Sequence, residues 1–227
     1  MAKEIAIVLN DGGINSAVAT ALAAQRFRPV MLHVISGARN DEGQEQASRG
    51  RVAFDQQAAF FKPYRDHILQ MPFLSLFTQA GGPKPVPGTT DVRQPGTLAS
   101  QMQELLPLMA AAGRFAAHYQ AGAIYLGLRV GNANDELAQA TEYLQIWTEL
   151  LQLTCGLPEV EFNAPLLELE PWQVADLGFQ TSAPLERTWS CMGNGAEPCW
   201  SCRGCRAREA AFIQAAKPDP LRVPRKG

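Results

Sequence analysis

The strongest constraint on the fold of this chain is the alternation of short apolar runs with longer helical stretches. The run Ile5 to Leu9 ends at a turn that contains Gly12 and Gly13, and residues 16–24 after it have helical composition. A second apolar run, residues 29–35, follows at a distance that fits a parallel βαβ crossover. This alternation continues along the chain and predicts an α/β fold with a doubly wound parallel sheet.

Composition and periodicity predict the remaining elements. Strands are expected at 67–76 and 123–128, and helices at 52–61, 98–120, 135–153, 171–177 and 206–216. Pro107 and Gly113 should strain the helix at 98–120. The glycine- and proline-rich residues 80–96 are predicted to form a functional or mobile loop, because so long a connector is unusual in a compact domain.

The length of 227 residues suits one α/β domain with a small appendage. We expect residues 1–186 to form that domain. Residues 187–216 are expected to form a four-cysteine zinc module with a terminal helix. Residues 217–227 read as a tail that frays.

The composition excludes some classes of protein. Apolar residues make up 46% of the chain and charged residues 19%, which excludes disorder over most of its length. The net charge of −2 is too balanced for a dedicated polyanion binder, so nucleic acid is not the expected partner. Residues 187–227 are nevertheless basic, with eight Lys and Arg against three Asp and Glu, so a nucleic-acid contact there stays a minor hypothesis.

Targeting signals are missing from the sequence pattern. No stretch reaches the roughly 18 apolar residues that a membrane span needs. The apolar run after the N-terminus is too short for the core of a signal peptide. The cytoplasm is therefore the expected compartment, and the sequence leaves the oligomeric state open, with a homodimer as one possibility.

Four of the five cysteines lie within fifteen residues, in the pattern C-x7-C-x2-C-x2-C. They are Cys191, Cys199, Cys202 and Cys205. Short C-x2-C loops suit tetrahedral thiolate coordination of zinc, and four protein ligands leave no open position for a catalytic water. A structural zinc site is the favoured interpretation, with reduced thiols, a redox pair or disulfides as the alternatives. Cys155 is expected to end a helix and has no assigned role.

The glycine turn after the first strand is a candidate anion site. A turn that enters a helix presents unpaired backbone N–H groups, and Ser16 and Asn15 could add side-chain donors. The spacing matches neither the phosphate-loop pattern nor the dinucleotide-binding pattern. An ordinary tight turn, with Asp11 or Asn15 capping the helix, is the alternative.

Two sets of residues resemble a known family. Residues 11–16, Asp-Gly-Gly-Ile-Asn-Ser, resemble the S-G-G-x-D-S pyrophosphate loop of ATP pyrophosphatases. Residues 188–191, 198–205 and 208–212 look like the zinc module of 7-cyano-7-deazaguanine synthase, and residues 160–166 look like the lead-in to that module. The chain is thus similar to the 7-cyano-7-deazaguanine synthase family of the PP-loop superfamily.

The resemblance implies a Rossmann-like fold of the adenine-nucleotide hydrolase type and a structural zinc. Members of the family use ATP to activate the carboxylate of 7-carboxy-7-deazaguanine, add ammonia, and dehydrate the amide to a nitrile with further ATP. It implies a nucleotide site, with magnesium as a possible companion, at Asp11, Gly12, Gly13, Asn15 and Ser16. The catalytic residues are left unassigned.

The chain also departs from the family pattern. Asp11 stands where the family has serine, and Asn15 where it has aspartate. Residues 36–39, Ser-Gly-Ala-Arg, replace a D-Y-G-Q stretch, and residues 101–105 and 137–141 lack the P-G-R-N and Tyr-Pro-Asp-Cys-Arg motifs. These changes support two hypotheses: a diverged ATP-dependent ligase, or a catalytically silent relative with a binding or regulatory role.

Asp11 is the sharpest of these departures. A carboxylate about 4 Å from a phosphate, at an effective dielectric constant of about 20, costs on the order of 4 kcal/mol, or about three decades in affinity. Asp11 could avoid this cost by holding Mg²⁺ between itself and the phosphates. Otherwise it only caps the helix.

Other candidate residues have mainly structural interpretations. His33, His67 and His118 match no ligand spacing and are expected to be structural. Two tryptophans, Trp189 and Trp200, either stack on a flat base or pack against the zinc module. Arg129 is expected at the sheet edge where ligands dock, and Glu186 and Arg187 read as a solvated ion pair.

Overall fold

The computed structural model describes residues 4–35, 48–74, 98–131, 134–157, 159–193 and 195–222. Five strands and six α-helices alternate along these ranges. The strands are β1 (Ile5–Leu9), β2 (Arg28–Ile35), β3 (Arg65–Gln70), β4 (Ala123–Tyr125) and β5 (Glu161–Asn163). The helices are α1 (Ile14–Arg26), α2 (Arg49–Phe61), α3 (Leu98–Tyr119), α4 (Asn134–Cys155), α5 (Pro171–Gln180) and α6 (Arg203–Gln214).

All five strands pair in parallel, in the order β3-β2-β1-β4-β5. The chain winds from β1 outward to β3 and then crosses back to the other side of β1. This order confirms the predicted doubly wound sheet. It also puts a topological switch point between β1 and β4, where ligands of such sheets bind.

Alternating side chains of β1 give the sheet two apolar faces. Ile7 and Leu9 pack with Met109 of α3 in one buried cluster. Ala6 and Val8 lie on the opposite face, in a cluster that includes Ala23 of α1. Because both faces are covered, the strands read as continuous apolar runs rather than as an alternating pattern.

A third cluster joins the N-terminal half of the chain to its C-terminal segment. Val18 of α1, Val174 of α5, and Leu185 and Phe212 are all buried in it. The helix that follows the cysteines is therefore part of the same core as the first helix.

Some element boundaries differ from the prediction. The strand predicted at 67–76 is β3, which ends at Gln70 and is followed by a 3-10 turn at Pro72–Leu74; residues 75–97 lie outside the described ranges, as does the predicted loop at 80–96. The strand predicted at 123–128 ends at Tyr125. Helix α3 continues through Pro107. Strand β5 was not predicted.

The first residues of the predicted tail contact the last helix. Asp219, 6% exposed, pairs with the 2% exposed side chain of Arg208 through two contacts of 2.7 Å. Lys217 N–H also bonds the Phe212 carbonyl. Residues 217–222 thus contact α6, because a buried guanidinium requires a carboxylate partner, and fraying of the tail stays a prediction.

Within the described ranges, none of the helices combines the length and the hydropathy that a membrane span needs.

Candidate functional site

A cleft of about 620 Å³ opens at the carboxyl-terminal edge of the sheet, at the switch point. Residues that follow β1 and β4, the first turn of α1, and one face each of α3 and α6 form its walls. Apolar walls come from Leu9, Leu105, Leu108 and Leu128. This is the position at which an open parallel sheet accepts a ligand.

The turn between β1 and α1 requires glycine at position 12. Gly12 has φ of +86°, in the left-handed region that favours glycine. A Cβ atom at this position would lie 2.2 Å from the Gly50 carbonyl oxygen at the start of α2. The backbone of the turn therefore packs closely against the start of α2.

Buried Asn10 holds the turn in place. Its side-chain amide donates to the Thr20 hydroxyl at 3.0 Å and to Gln57 Oε1 at 2.9 Å, while its Oδ1 accepts from Gly12 N–H at 2.8 Å. Buried His33 bonds the Asn10 backbone carbonyl through Nδ1 at 2.8 Å. Since the acceptor is a carbonyl, Nδ1 carries the proton.

The Asp11 carboxylate occupies donors at the start of α1. Its Oδ1 accepts from Gly13 N–H at 2.8 Å and from the Ser16 hydroxyl at 2.5 Å. Asp11 is exposed and lines the cleft. The other backbone N–H groups of the first helical turn have no acceptor within the helix itself.

Four of the five predicted nucleotide-binding residues line the cleft: Asp11, Gly13, Asn15 and Ser16. Gly12 is not among the lining residues, and its backbone is used elsewhere. Its carbonyl accepts from Gln57 Nε2 at 3.0 Å and from Trp189 N–H at 2.9 Å. The nucleotide site itself stays a prediction.

Charged side chains of both signs line the cleft. Asp11 and Glu104 contribute carboxylates, and Arg129 and Arg208 contribute guanidinium groups. Arg208 is neutralised by Asp219. Arg129 lies at the sheet edge where the sequence predicts it and donates to the Leu169 carbonyl at 3.3 Å.

The four clustered cysteines converge on one point, with all four Sγ atoms within 4.8 Å of one another. Cys191 Sγ lies 3.5 Å from Cys199 Sγ and 3.9 Å from Cys202 Sγ. This arrangement can hold a metal ion. Cys155 lies apart from the cluster, at the end of α4, as predicted.

Hydrogen bonds stabilise two sulfurs of the cluster, those of Cys199 and Cys202, as thiolates. Met192 N–H donates to Cys202 Sγ at 3.4 Å, and hydrogen bonds of this kind lower the pKa of Cys202. Hydrogen bonds led by that of the Ser201 side chain lower the pKa of Cys199 to about 5. Burial raises the pKa of Cys205 to about 12, so this thiol needs a cation nearby to ionise at neutral pH.

Glycine at position 204 allows the chain segments around the cysteines to come together. A Cβ atom on Gly204 would lie 2.0 Å from the Ser190 carbonyl oxygen. Cys202 caps α6 by accepting a hydrogen bond from Cys205 N–H at 3.5 Å. Cys202 is thus both a member of the cysteine cluster and the N-cap residue of the last helix.

Neither tryptophan near the cysteines lines the cleft. Arg222 covers the Trp200 ring at 4.2 Å, and Arg49 lies 5.7 Å from the Trp189 ring centroid. Each ring thus contacts an arginine, and packing against the zinc module stays a prediction for both tryptophans.

The histidines and the predicted ion pair have structural contacts. His67 bonds the Tyr119 hydroxyl at 2.7 Å, and His118 packs edge-on against the same ring. Glu186 and Arg187 form a partly exposed ion pair at 3.2 Å, as predicted.

Sequence reasoning missed the roles of Asn10 and Gln57. Gln57 follows Ala53 and Phe54 at helical spacing on the buried face of α2. A polar residue on the apolar face of an amphipathic helix was the available signal, because a buried amide needs partners.

Comparison with known proteins assigns the chain to a family. The model of the family described as "Queuosine biosynthesis protein QueC" matches residues 5–216. A 7-cyano-7-deazaguanine synthase of Acidobacterium capsulatum is 26% identical over 229 residues, 96% of each chain. Another from Synechococcus elongatus is 30% identical over 96% of this chain and 94% of its own.

One solved structure confirms the fold. A 4-thiouridine synthetase in complex with RNA and bound ATP has a TM-score of 0.52 and 17% sequence identity to this chain. The similarity covers 94% of this chain and 50% of the other, and it shows a Rossmann-like fold alone. The family match, in contrast, extends over the sheet, the turn and the cysteine cluster, so this chain belongs to the queuosine biosynthesis protein QueC family.

Proposed function

We propose that this chain is an ATP-dependent carbon–nitrogen ligase that converts the carboxylate of a 7-deazapurine into a nitrile. The curated relatives that carry the name 7-cyano-7-deazaguanine synthase cover nearly the whole chain, which supports this function. The single observation that carries the proposal is the cleft at the switch point, lined by the glycine turn.

The start of α1 is the proposed phosphate site. Asn15 and Ser16 of the first turn line the cleft, whereas Gly12 does not and would shape the turn rather than contact phosphate. Donors at the start of a helix would stabilise the charge that develops on a departing pyrophosphate. The apolar side chains Leu105, Leu108 and Leu128 are suited to a flat heterocycle.

The cysteine cluster is the proposed zinc site. Four sulfurs about 2.3 Å from one Zn²⁺ lie about 3.8 Å apart at the corners of a tetrahedron. The Sγ separations of 3.5 and 3.9 Å that involve Cys191 fit this geometry. A closed four-thiolate site supplies stability rather than chemistry, because it leaves no position for substrate.

The experiment is a turnover assay on the full-length protein. The protein is incubated with 7-carboxy-7-deazaguanine, ammonium, ATP and Mg²⁺, and AMP, pyrophosphate and the nitrile are followed. We expect release of AMP or pyrophosphate that depends on the carboxylate. Ser16→Ala should lower kcat/KM by at least about tenfold. Ser182→Ala, at an exposed turn outside the cleft, is the matched control.

A second candidate is a catalytically silent relative that binds a small molecule or regulates a partner. The observation in its favour is the Asp11 carboxylate, which takes two donors of the phosphate turn. No turnover together with no ATP binding would remove the ligase proposal and favour this one.

The location and partners are part of the proposal. We infer a cytoplasmic protein that acts on small molecules. Four of the basic residues after position 186 form ion pairs: Arg187, Arg208, Lys217 and Arg222. Their pairing weakens the hypothesis of a nucleic-acid surface, because phosphate contacts require free cationic groups. A homodimer stays an expectation.

A further inference from the structure

We propose that Asp11 is a specificity-determining residue that makes nucleotide binding at the glycine turn depend on a divalent cation. Without the cation, its carboxylate occupies donors that a phosphate needs; with a cation on the phosphates, the carboxylate turns to the cation and releases those donors. This inference rests on the proposed function.

The first step is the occupancy of the donors. Asp11 Oδ1 accepts both the Gly13 N–H and the Ser16 hydroxyl, at 2.8 and 2.5 Å. A phosphate oxygen that approached the start of α1 would compete with this tethered carboxylate. The competition is intramolecular, so it is present at every ligand concentration.

The second step is that the carboxylate can leave without disturbing the turn. The backbone of the turn is held by Asn10 and Gln57 and by the close contact of Gly12 with Gly50. The Asp11 side chain is exposed to the cleft. Its rotation therefore breaks two hydrogen bonds and leaves the buried network intact.

The third step is the charge of the cleft. No lysine or arginine within the described ranges forms a salt bridge with Asp11. Glu104 adds a second carboxylate, and Asp219 already neutralises Arg208. Arg129 is left to balance two negative charges, so the cleft repels a free nucleotide tetra-anion.

A divalent cation reverses this repulsion. Carboxylate and phosphate oxygens are both hard ligands, and Mg²⁺ is commonly held by one or two carboxylates together with substrate phosphates. Removal of the Asp11 charge should strengthen binding of cation-free ATP by up to about a thousandfold, from like-charge repulsion at about 4 Å.

The test measures ATP affinity by calorimetry, in magnesium-free buffer and with added MgCl₂. Chelators are left out, because they would compete for a metal in the cysteine cluster. Three proteins are compared with the wild type. Asp11→Ser removes the carboxylate, and Asp11→Asn keeps its shape and removes its charge. Asp66→Ser makes the same change of charge at an exposed residue near the amino end of β3, outside the cleft.

We expect the wild type and Asp66→Ser to bind ATP at least about a hundredfold more tightly with MgCl₂ than without it. Asp11→Ser should bind magnesium-free ATP much more tightly than the wild type, with a cation dependence below about tenfold. Asp11→Asn should lie between them, because its amide oxygen still accepts from Gly13 and Ser16.

Two results would overturn the inference. If wild type and Asp11→Ser bind magnesium-free ATP equally well, the inference is wrong and the proposed nucleotide site stands. If no protein binds ATP in either buffer, the inference and the proposed function are both wrong.

Discussion

Two glycines, Gly12 in the turn and Gly156 after α4, distinguish the two costs of replacing a glycine, which are backbone strain and steric conflict. Gly12 and Gly156 both have positive φ, at 86° and 64°. A Cβ on Gly12 would meet the Gly50 carbonyl at 2.2 Å, whereas a Cβ on Gly156 would meet nothing within 4 Å. The two positions therefore share backbone strain and differ in steric conflict.

We expect Gly156→Ala to destabilise the protein by about 1 kcal/mol, the cost of a left-handed alanine. Gly12→Ala should cost about 3 kcal/mol or more, because the turn must also move away from α2. Urea unfolding of the two variants measures the difference. Equal losses of stability would mean that the contact with Gly50 does not constrain the turn.

His33 should make stability depend on pH. Burial is the main cause that lowers its pKa in the folded protein, although the hydrogen bond to Asn10 opposes the shift. The unfolded chain titrates near pH 6.5. Between that value and the lowered pKa, the unfolded state binds more protons, so folding stability decreases as pH falls below about 6.5.

The variant His33→Gln should lose the decrease in folding stability below pH 6.5 that His33 causes. The variant His118→Gln, at a structural site elsewhere, should retain it. Denaturant midpoints measured from about pH 7.5 down to about pH 5.5, about one pH unit on each side of the reference value, supply the readout. A wild-type midpoint that does not fall below pH 6.5 would contradict the expected effect.

At the residue scale, the sequence predicted which side chains reach the cleft better than it predicted what they contact there. Asp11, Gly13, Asn15 and Ser16 follow a strand that ends at the sheet edge, so their position follows from topology. The bond of Asp11 to Gly13 and Ser16 depends on a rotamer, which no sequence pattern specifies.

The elements of the fold were mostly predictable, since buried parallel strands and amphipathic helices leave strong patterns. All six helices lie within three residues of their predicted bounds, and α6 begins three residues early because Cys202 caps it. Strand β5 was missed because its pairing with β4, which supplies its hydrogen bonds, is a tertiary contact.

The cysteine cluster should contribute to stability through its metal. Cys205 is buried within the cluster, and Cys155 is a half-buried thiol outside it. Cys205→Ser should lower the zinc content from one ion per chain and destabilise the protein by about 3 kcal/mol, which lowers Tm by about 6 to 12 °C. Cys155→Ser should leave both unchanged.

Elemental analysis and calorimetry test this prediction. Iron in place of zinc, or a metal-free wild type that melts at the same temperature as Cys205→Ser, would contradict the zinc assignment.

Across the whole molecule, one core joins segments that lie far apart in the sequence. Phe212 packs in the same cluster as Val18 and Val174. Removal of residues 187–227 would expose that cluster and also take away a hydrogen-bond partner of Gln57, the Arg187 carbonyl. The expected division at residue 186 is therefore a boundary in sequence and composition.

We expect a chain that ends at residue 186 to unfold without a cooperative transition, because its apolar surface is uncovered. A chain that ends at residue 222, where α6 and Asp219 are retained, should unfold like the full protein. Thermal melts followed by circular dichroism compare them. A sharp transition in the shorter chain would identify an independent domain.

The hydrogen bond from Trp189 N–H to the Gly12 carbonyl has a consequence for comparison among relatives. Gln57 bonds both the Gly12 and the Arg187 carbonyls, so these hydrogen bonds connect the start of the cysteine-containing segment to the glycine turn near the N-terminus. We therefore expect that this segment cannot be exchanged on its own. A chimaera that takes it from a homologue would also need the homologue's glycine turn and its residue at position 57.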